Sequence, residues 1–142
     1  MTGKRYFCNQ NLDEMDKKII STGAIFGMLA IILGAFGAHA LKKVLSIEEL
    51  ATFETGVKYQ MYHALFLLFI GLSSGISEKT KKTIYYLVAV GVLFFSGSIY
   101  LLATNKLTTF DFKTIGFVTP IGGFLLILAW GVLLLNYFNK KS

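Results

Sequence analysis

Four long apolar runs, separated by short polar or charged stretches, constrain this chain more than any other feature. The runs cover about residues 19–41, 57–75, 84–103 and 114–138. Each is close to the ~20 residues that an α-helix needs to cross the ~30 Å hydrocarbon core of a bilayer. Charged residues make up 15% of the chain, against about 25% in a soluble domain. The sequence therefore predicts an all-α, polytopic membrane protein with four transmembrane helices.

The connector between the first two runs is longer and more mixed in character than a membrane turn needs to be. Ser46 fits a helix N-cap, and Glu49 three residues later completes a capping box. Apolar residues then recur at helical spacing, with charged and hydroxyl side chains on the other face. We expect a short amphipathic interfacial helix over 46–55, with Gly56 as the bend where the chain enters the second span.

The length and the N-terminal sequence predict the domain organisation. A chain of 142 residues fits one domain. Residues 1–14 are polar, and Met15 directly precedes the first apolar run, which leaves open whether Met1 or Met15 is the start. That run is too long for the apolar part of a cleavable signal peptide. We expect a poorly ordered extension over 1–14 and a single membrane domain over 15–142.

The basic residues predict the orientation of the four spans. The side with both termini and the second connector carries nine Lys and Arg residues, and the other side carries five. Basic residues concentrate on the cytoplasmic side of membrane proteins. We therefore expect both termini in the cytoplasm. The net charge of +6 is explained by helix ends that contact membrane lipids, so no nucleic-acid partner is expected.

Small residues fall on one face of the first run. They are Gly23, Gly27, Ala30, Gly34 and Gly37, at spacings that alternate between four and three. The first two also fit the motif that lets membrane helices approach closely. We expect this seam to pack against a neighbouring helix, and the first helix to be the central and most tightly packed one.

Polar residues of the spans gather toward the side opposite the termini. Each polar group in a poorly hydrated place needs a partner, so we expect His39, Glu54, Gln60 and His63 to form one cluster beneath the outer surface. The full set of candidate site residues comprises His39, Glu54, Lys58, Tyr59, Gln60, His63, Ser96, Ser98 and Thr119.

The residue types argue against catalysis and metal binding. The sequence contains no set of nucleophile, base and orienting group, no phosphate loop and no HExxH spacing, so we expect no enzyme. Two histidines alone rarely complete a metal site, and no Cys, Asp or Glu lies inside a run to help them. We expect neither a metal nor a cofactor. Cys8 is the sole cysteine, which excludes an intramolecular disulfide.

Four sequence blocks carry a family resemblance. In chain order they are GAFGAHALK, LATFETGVKYQMYHALFLL, FSGSIYLLA and TPIGG. On these blocks the chain from about Met15 onward resembles domain-of-unknown-function family 423, and the eukaryotic transmembrane protein 256 is similar. The resemblance implies a small four-helix protein of the bacterial cytoplasmic (inner) membrane. It implies no established activity.

Three functions remain open from the residues. The first is a non-enzymatic binding or accessory protein whose outer-leaflet polar pocket takes a lipid or a partner membrane protein. The second is a transporter or channel, which requires a homo-oligomer because four short spans leave little room for alternating access. The third is a haem or quinone redox subunit that uses His39 and His63. The sequence does not decide the protonation of these histidines.

Overall fold

Four α-helices make up most of the part of the chain, residues 12–140, that a computed structural model describes. They are α1 (Glu14–His39), α2 (Ile47–Leu72), α3 (Glu78–Ala103) and α4 (Val118–Phe138). Short 3-10 turns at Leu41–Lys43, Asn105–Leu107 and Phe112–Ile115 lie in the two connectors at one end of the bundle. The extension predicted over 1–14 lies outside the described residues except for its last three.

Three stretches are long and apolar enough to cross a membrane. They are Glu14–Lys43, Glu78–Ala103 and Phe112–Phe138, which match the first, third and fourth predicted spans. The helix α2 has the same length as α1 and α3, 26 residues. Its first half carries glutamates, lysine and other polar side chains, which lower its apolar character. The structure therefore has four long helices, three of them apolar enough to cross a membrane by composition.

The predicted interfacial helix and second span are one continuous helix. Ser46 caps α2 as expected, because its hydroxyl accepts from Glu49 N at 3.1 Å and its own N–H donates to the Glu49 carboxylate at 2.7 Å. The predicted bend at Gly56 is wrong, since Gly56 lies inside α2. A Cβ there would lie 2.7 Å from Cε1 of Tyr100. The glycine permits close packing of α3 and does not end the helix.

The boundary between α2 and α3 also differs from the expected one. The second helix ends at Leu72 and not at residue 75, and α3 begins at Glu78 instead of residue 84. The Ser77 hydroxyl caps α3 by accepting from Thr80 N at 3.3 Å. Residues 78–83, which the predicted span bounds place in a connector, therefore belong to the start of α3.

A buried ion pair joins three helix ends on the side of the termini. The Lys81 ammonium, in the first turn of α3, lies 2.7 Å from the Asp16 carboxylate of α1. It also donates to the Gly71 carbonyl near the end of α2, at 3.4 Å. Cations stabilise a helix C-terminus and anions a helix N-terminus. Asp16 therefore suits the N-terminal end of α1, and the Lys81 ammonium suits the C-terminal end of α2, where it is paired with the Asp16 carboxylate.

The helices pack in chain order, with α1 on α2, α2 on α3 and α3 on α4, while α1 and α3 touch only over a short length. The expectation that the first helix is central is wrong: α1 lies at one edge and α2 lies between α1 and α3. The physical reason is that α2 presents a broad buried face to α1 and α3, and through His63 and Phe66 also to Trp130 of α4. That face contains Phe53, Gly56, Gln60, His63, Ala64, Phe66, Leu67, Ile70 and Gly71.

The small-residue seam of α1 faces α2. A Cβ on Gly23 would lie 2.9 Å from the Ala64 carbonyl oxygen, and one on Gly37 would lie 3.1 Å from the Phe53 ring. Gly27 lies opposite Ala64, and Ala30 is buried. These contacts also give the antiparallel register of the two helices.

At the opposite end, an exposed ion pair joins the connector between α3 and α4 to the start of α2. The Lys106 ammonium lies 2.6 Å from the Glu49 carboxylate at the start of α2. The hydrogen bond from Lys106 lowers the pKa of the Glu49 carboxyl below its usual value of 4.5. A lowered carboxyl pKa adds stability above the unfolded-state pKa, and this is lost as the pH falls through the folded-state pKa. Because the pair is exposed, its effect on stability is small.

The contact between α3 and α4 generates the first prediction. A Cβ on Gly122 would overlap the backbone nitrogen of Phe95, whereas a Cβ on Gly131 of the same helix would meet nothing within 4 Å. Gly122→Ala should therefore push the two helices apart and lower the free energy of unfolding by about 1–3 kcal/mol. Gly131→Ala, the matched control, should not lower it. Thermal and denaturant unfolding in detergent measure both, and equal stabilities would contradict this packing.

Candidate functional site

Gln60 of α2 is a buried polar side chain that joins three helices. It is 5% exposed. Its Nε2 donates to the Phe26 carbonyl of α1 at 2.9 Å. Its Oε1 accepts from the Tyr100 hydroxyl of α3 at 2.7 Å. Hydrogen bonds between helices partly replace the missing hydrophobic driving force in a membrane, so Gln60 is a structural centre of the bundle.

Tyr100 reaches Gln60 because α2 and α3 approach closely beside it. Its ring packs on Gly56, where α2 has no side chain, and lies 5.0 Å from the ring of Phe53 between centroids. One turn earlier on α3, the Ser96 hydroxyl donates to the Gly56 carbonyl at 2.8 Å. The position of the phenol is thus fixed by the backbone of α2 as well as by Gln60.

His63, also on α2, is buried and makes a hydrogen bond through each ring nitrogen. Nδ1 lies 2.8 Å from the Tyr59 carbonyl, and Nε2 lies 3.2 Å from Nε1 of Trp130 on α4. A carbonyl can only accept and an indole N–H can only donate. Both hydrogen bonds form when Nδ1 carries the proton and Nε2 is unprotonated. The geometry therefore selects the neutral Nδ1–H tautomer of His63.

A further polar contact joins α3 and α4. The hydroxyls of Ser98 and Thr119 lie 2.5 Å apart, and Ser98 also donates to the Phe95 carbonyl at 3.0 Å. Ser98 is buried. Together with Ser96, these hydroxyls hold helices to one another and do not face an open cavity.

The structure does not bring all the candidate residues together. His39, Glu54 and Lys58 are exposed, whereas Gln60 and His63 are buried. The expected single cluster of His39, Glu54, Gln60 and His63 is therefore corrected to two separate sets of contacts around Gln60 and His63. Tyr59 is exposed, and its ring lies 5.0 Å from that of Phe95 and 6.5 Å from that of His63.

The register of α1 and α2 explains why His39 is excluded. Gly37 meets Phe53 and Gly27 meets Ala64, so His63 lies level with about residue 28 of α1. His39 is eleven residues farther along, or about 17 Å along the helix axis. Two axial ligands of one haem must lie on either side of the same iron. Within one chain, His39 and His63 therefore cannot form such a pair.

A groove opens between α1 and α3 above Gln60. Its volume is about 280 Å3. The walls are almost wholly apolar and the floor holds the hydrogen-bonded pair of Gln60 and Tyr100. The lining residues are Phe26, Leu29, Ile32, Leu33, Gln60, Val92, Leu93, Gly97 and Tyr100. At the end near the termini, α1 and α3 meet again, where the hydroxyls of Thr22 and Tyr85 lie 3.1 Å apart.

Sequence reasoning identified Gln60 and His63 but missed their partners. Tyr100 and Trp130 come from helices far along the chain, and no spacing relates them to α2. In the sequence, each is visible only as an aromatic residue with an O–H or N–H group inside an apolar run. The groove itself depends on the angle between α1 and α3, which the sequence does not carry.

The second prediction concerns the coupling of Gln60 and Tyr100. Gln60→Leu removes two hydrogen bonds between helices and leaves the Tyr100 hydroxyl without its acceptor, so it should lower the free energy of unfolding by roughly 1–2 kcal/mol. Tyr100→Phe should cost less. In a double-mutant cycle the losses should fall short of additivity by about 0.5–1.5 kcal/mol. Strictly additive losses, measured by denaturant unfolding in detergent, would mean that the two side chains do not interact.

Comparison with known proteins gives consistent relatives. A UPF0382 membrane protein of Staphylococcus saprophyticus is 42% identical over 123 residues, which cover 87% of this chain and 98% of that protein. A UPF0382 membrane protein of Haemophilus influenzae is 34% identical, covering 90% of this chain and 99% of its own. The UPF0382 inner membrane protein YgdD of Escherichia coli is 35% identical, covering 83% and 87%. No solved structure matches.

A family model matches more than half of the chain. The model described as "Protein of unknown function (DUF423)" matches residues 33–123. That range includes Gln60, His63 and Tyr100, whereas Phe26 and Trp130, which bond to Gln60 and His63, lie outside it. The chain therefore belongs to the DUF423 family, and its relatives are named as UPF0382 membrane proteins.

Proposed function

We propose that this protein is a non-enzymatic binding protein of the bacterial inner membrane that takes the apolar chain of a lipid-type ligand into the groove between α1 and α3. The observation that carries the proposal is a cavity of about 280 Å3 with apolar walls and a polar floor. Ligand sites are mostly apolar clefts with a few polar groups that fix the orientation of the ligand. Leu29, Ile32 and Leu93 on its walls are exposed, so the groove is open to the lipid side.

The chemistry of the floor supports binding over catalysis. Gln60 contributes an amide and Tyr100 a phenol, which are hydrogen-bonding groups without a neighbouring nucleophile among the lining residues. An amide nitrogen carries two hydrogens, and within residues 12–140 Nε2 of Gln60 has one acceptor, Phe26 O. The other hydrogen is available to an oxygen of the ligand. A lipid ester or hydroxyl at the head of an apolar chain meets that requirement.

The proposal includes four membrane-crossing helices, with α2 as the fourth. A helix of 26 residues extends about 39 Å, enough for a ~30 Å core. Polar residues are tolerated in a span when they face the bundle and are partnered. Gln60 and His63 meet both conditions. Their partners on α1, α3 and α4 thus support α2 as a span although its composition alone does not.

The proposed orientation places both termini in the cytoplasm. Within the described residues, Lys17, Lys18, Lys79, Lys82 and Lys140 lie at the end of the bundle where the termini are. The complete sequence has nine basic residues on that side and five on the other. The inner-membrane relative named above supports the choice of membrane.

The third prediction tests whether the groove is filled by lipid. Gly97 lines the groove and Gly131 lies on α4, and a Cβ at either position meets nothing within 4 Å. Gly97→Phe should place a ring in the groove, because there is room for its Cβ, whereas Gly131→Phe adds the same side chain elsewhere. Both variants are purified from native membranes after extensive detergent washing, and the retained lipids are quantified by mass spectrometry.

We expect the unmodified protein and Gly131→Phe to retain about one lipid per chain of a defined class, and Gly97→Phe to lose most of it. Thermal unfolding of the three proteins checks that the fold is intact. Equal lipid retention by Gly97→Phe and Gly131→Phe would exclude the groove as the binding site.

A further inference from the structure

The α2 helix has a polar face that points away from the rest of the protein. Glu54, Lys58 and Tyr62 follow one another at intervals of four residues, and Thr55 lies beside them, so they share one side of the helix. All four are exposed, and Tyr62 is 55% exposed. We call these four residues the polar α2 face. It lies opposite the buried face that contains Gln60 and Gly56.

This face extends into the depth of the proposed membrane. Gly34 of α1 meets Val57, so Lys58 lies level with about residue 33. That level is about 9 Å from the end of α1 at His39, and Tyr62 lies about 6 Å deeper. Farther along α2 the same side becomes apolar, with exposed Leu65 and Phe69. Glu54, Thr55, Lys58 and Tyr62 are therefore poorly suited to contact with lipid chains, whereas Leu65 and Phe69 are well suited to it.

The charges of the face have no ion-pair partner among the residues that the structure describes. The ion pairs among residues 12–140 are Lys81 with Asp16 and Lys106 with Glu49. Ionisable side chains at membrane depth almost always face a bundle interior or a water-filled cavity, where they are paired. Glu54 and Lys58 carry opposite charges on one side of one helix. Two copies of such a surface can pair, because the glutamate of each copy can meet the lysine of the other.

We propose that the polar α2 face is the contact surface with a second copy of this chain. This inference rests on the proposed membrane placement of α2. Copies inserted in the same orientation can pair about a twofold axis along the membrane normal, which sets the two α2 helices side by side and parallel. Helix side chains tilt toward the N-terminus, so Lys58 of each copy rises toward the level of Glu54 in the other. Two symmetric ion pairs then form.

The other members of the face fit a contact between helices. Thr55 is small enough for close approach, and threonine hydroxyls bond across membrane helices. Tyr62 has a large ring with a polar tip, and aromatic residues are enriched in protein contacts. The groove between α1 and α3 lies on the other side of α2, so a second copy leaves it open to lipid.

The fourth prediction is a cross-linking pattern in native membranes. Thr55→Cys is made in a Cys8→Ser background, and the membranes are treated with a copper–phenanthroline oxidant. Ile121→Cys is the matched control, because Ile121 is exposed on α4 and its neighbour Gly122 packs on Phe95, near the level of Gly56. We expect Thr55→Cys to form a disulfide-linked dimer at least about tenfold more than Ile121→Cys.

Charge reversal then tests the ion pairs. Glu54→Lys or Lys58→Glu alone, combined with Thr55→Cys, should reduce the dimer about tenfold, because like charges then meet across the contact. The double reversal should restore it. Equal yields at positions 55 and 121, a cross-link of Thr55→Cys to a different protein only, or single reversals without effect would each overturn the proposal. Lipid retention in the groove is measured separately, so either idea can fail alone.

Discussion

The need to pair every polar group in an apolar medium is the constraint on which the rest of this structure depends. The helix α2 carries two of these groups, Gln60 and His63, and each is bonded to another helix. Gln60 bonds to α1 and α3, and His63 bonds to α4 through Trp130. These bonds need helices that lie close together. Glycines at the contacts, such as Gly23 and Gly56, provide that approach.

Periodicity and composition predicted three of the helices well and misjudged the fourth. The apolar runs of α1, α3 and α4 are long enough to identify spans, and the capping box correctly placed the start of α2. The sequence could not show that α2 continues through Gly56. In the sequence, a glycine that ends a helix looks the same as a glycine that makes room for a neighbouring ring. Gly56 is of the second kind, because the Tyr100 ring of α3 packs against it.

The candidate site was predicted in part for a similar reason. A glutamine and a histidine in an apolar run stand out in any sequence, so Gln60 and His63 could be selected. Grouping them with His39 assumed that all polar residues near a hairpin end meet. The register of α1 on α2 separates His39 from His63 by about 17 Å, and only packing fixes that register. The groove is lined by residues of α1, α2 and α3, so it too depends on how the helices pack.

The most direct test of this account asks whether α2 crosses the membrane. Cysteines replacing Thr52, near the start of α2, and Ser74, just beyond its end, are probed separately in a Cys8→Ser background with a membrane-impermeant thiol reagent. Both positions are exposed. If α2 crosses the membrane with the termini inside, Thr52→Cys is labelled in intact cells and Ser74→Cys only after permeabilisation. Labelling of both from the same side would contradict α2 as the central membrane-crossing helix.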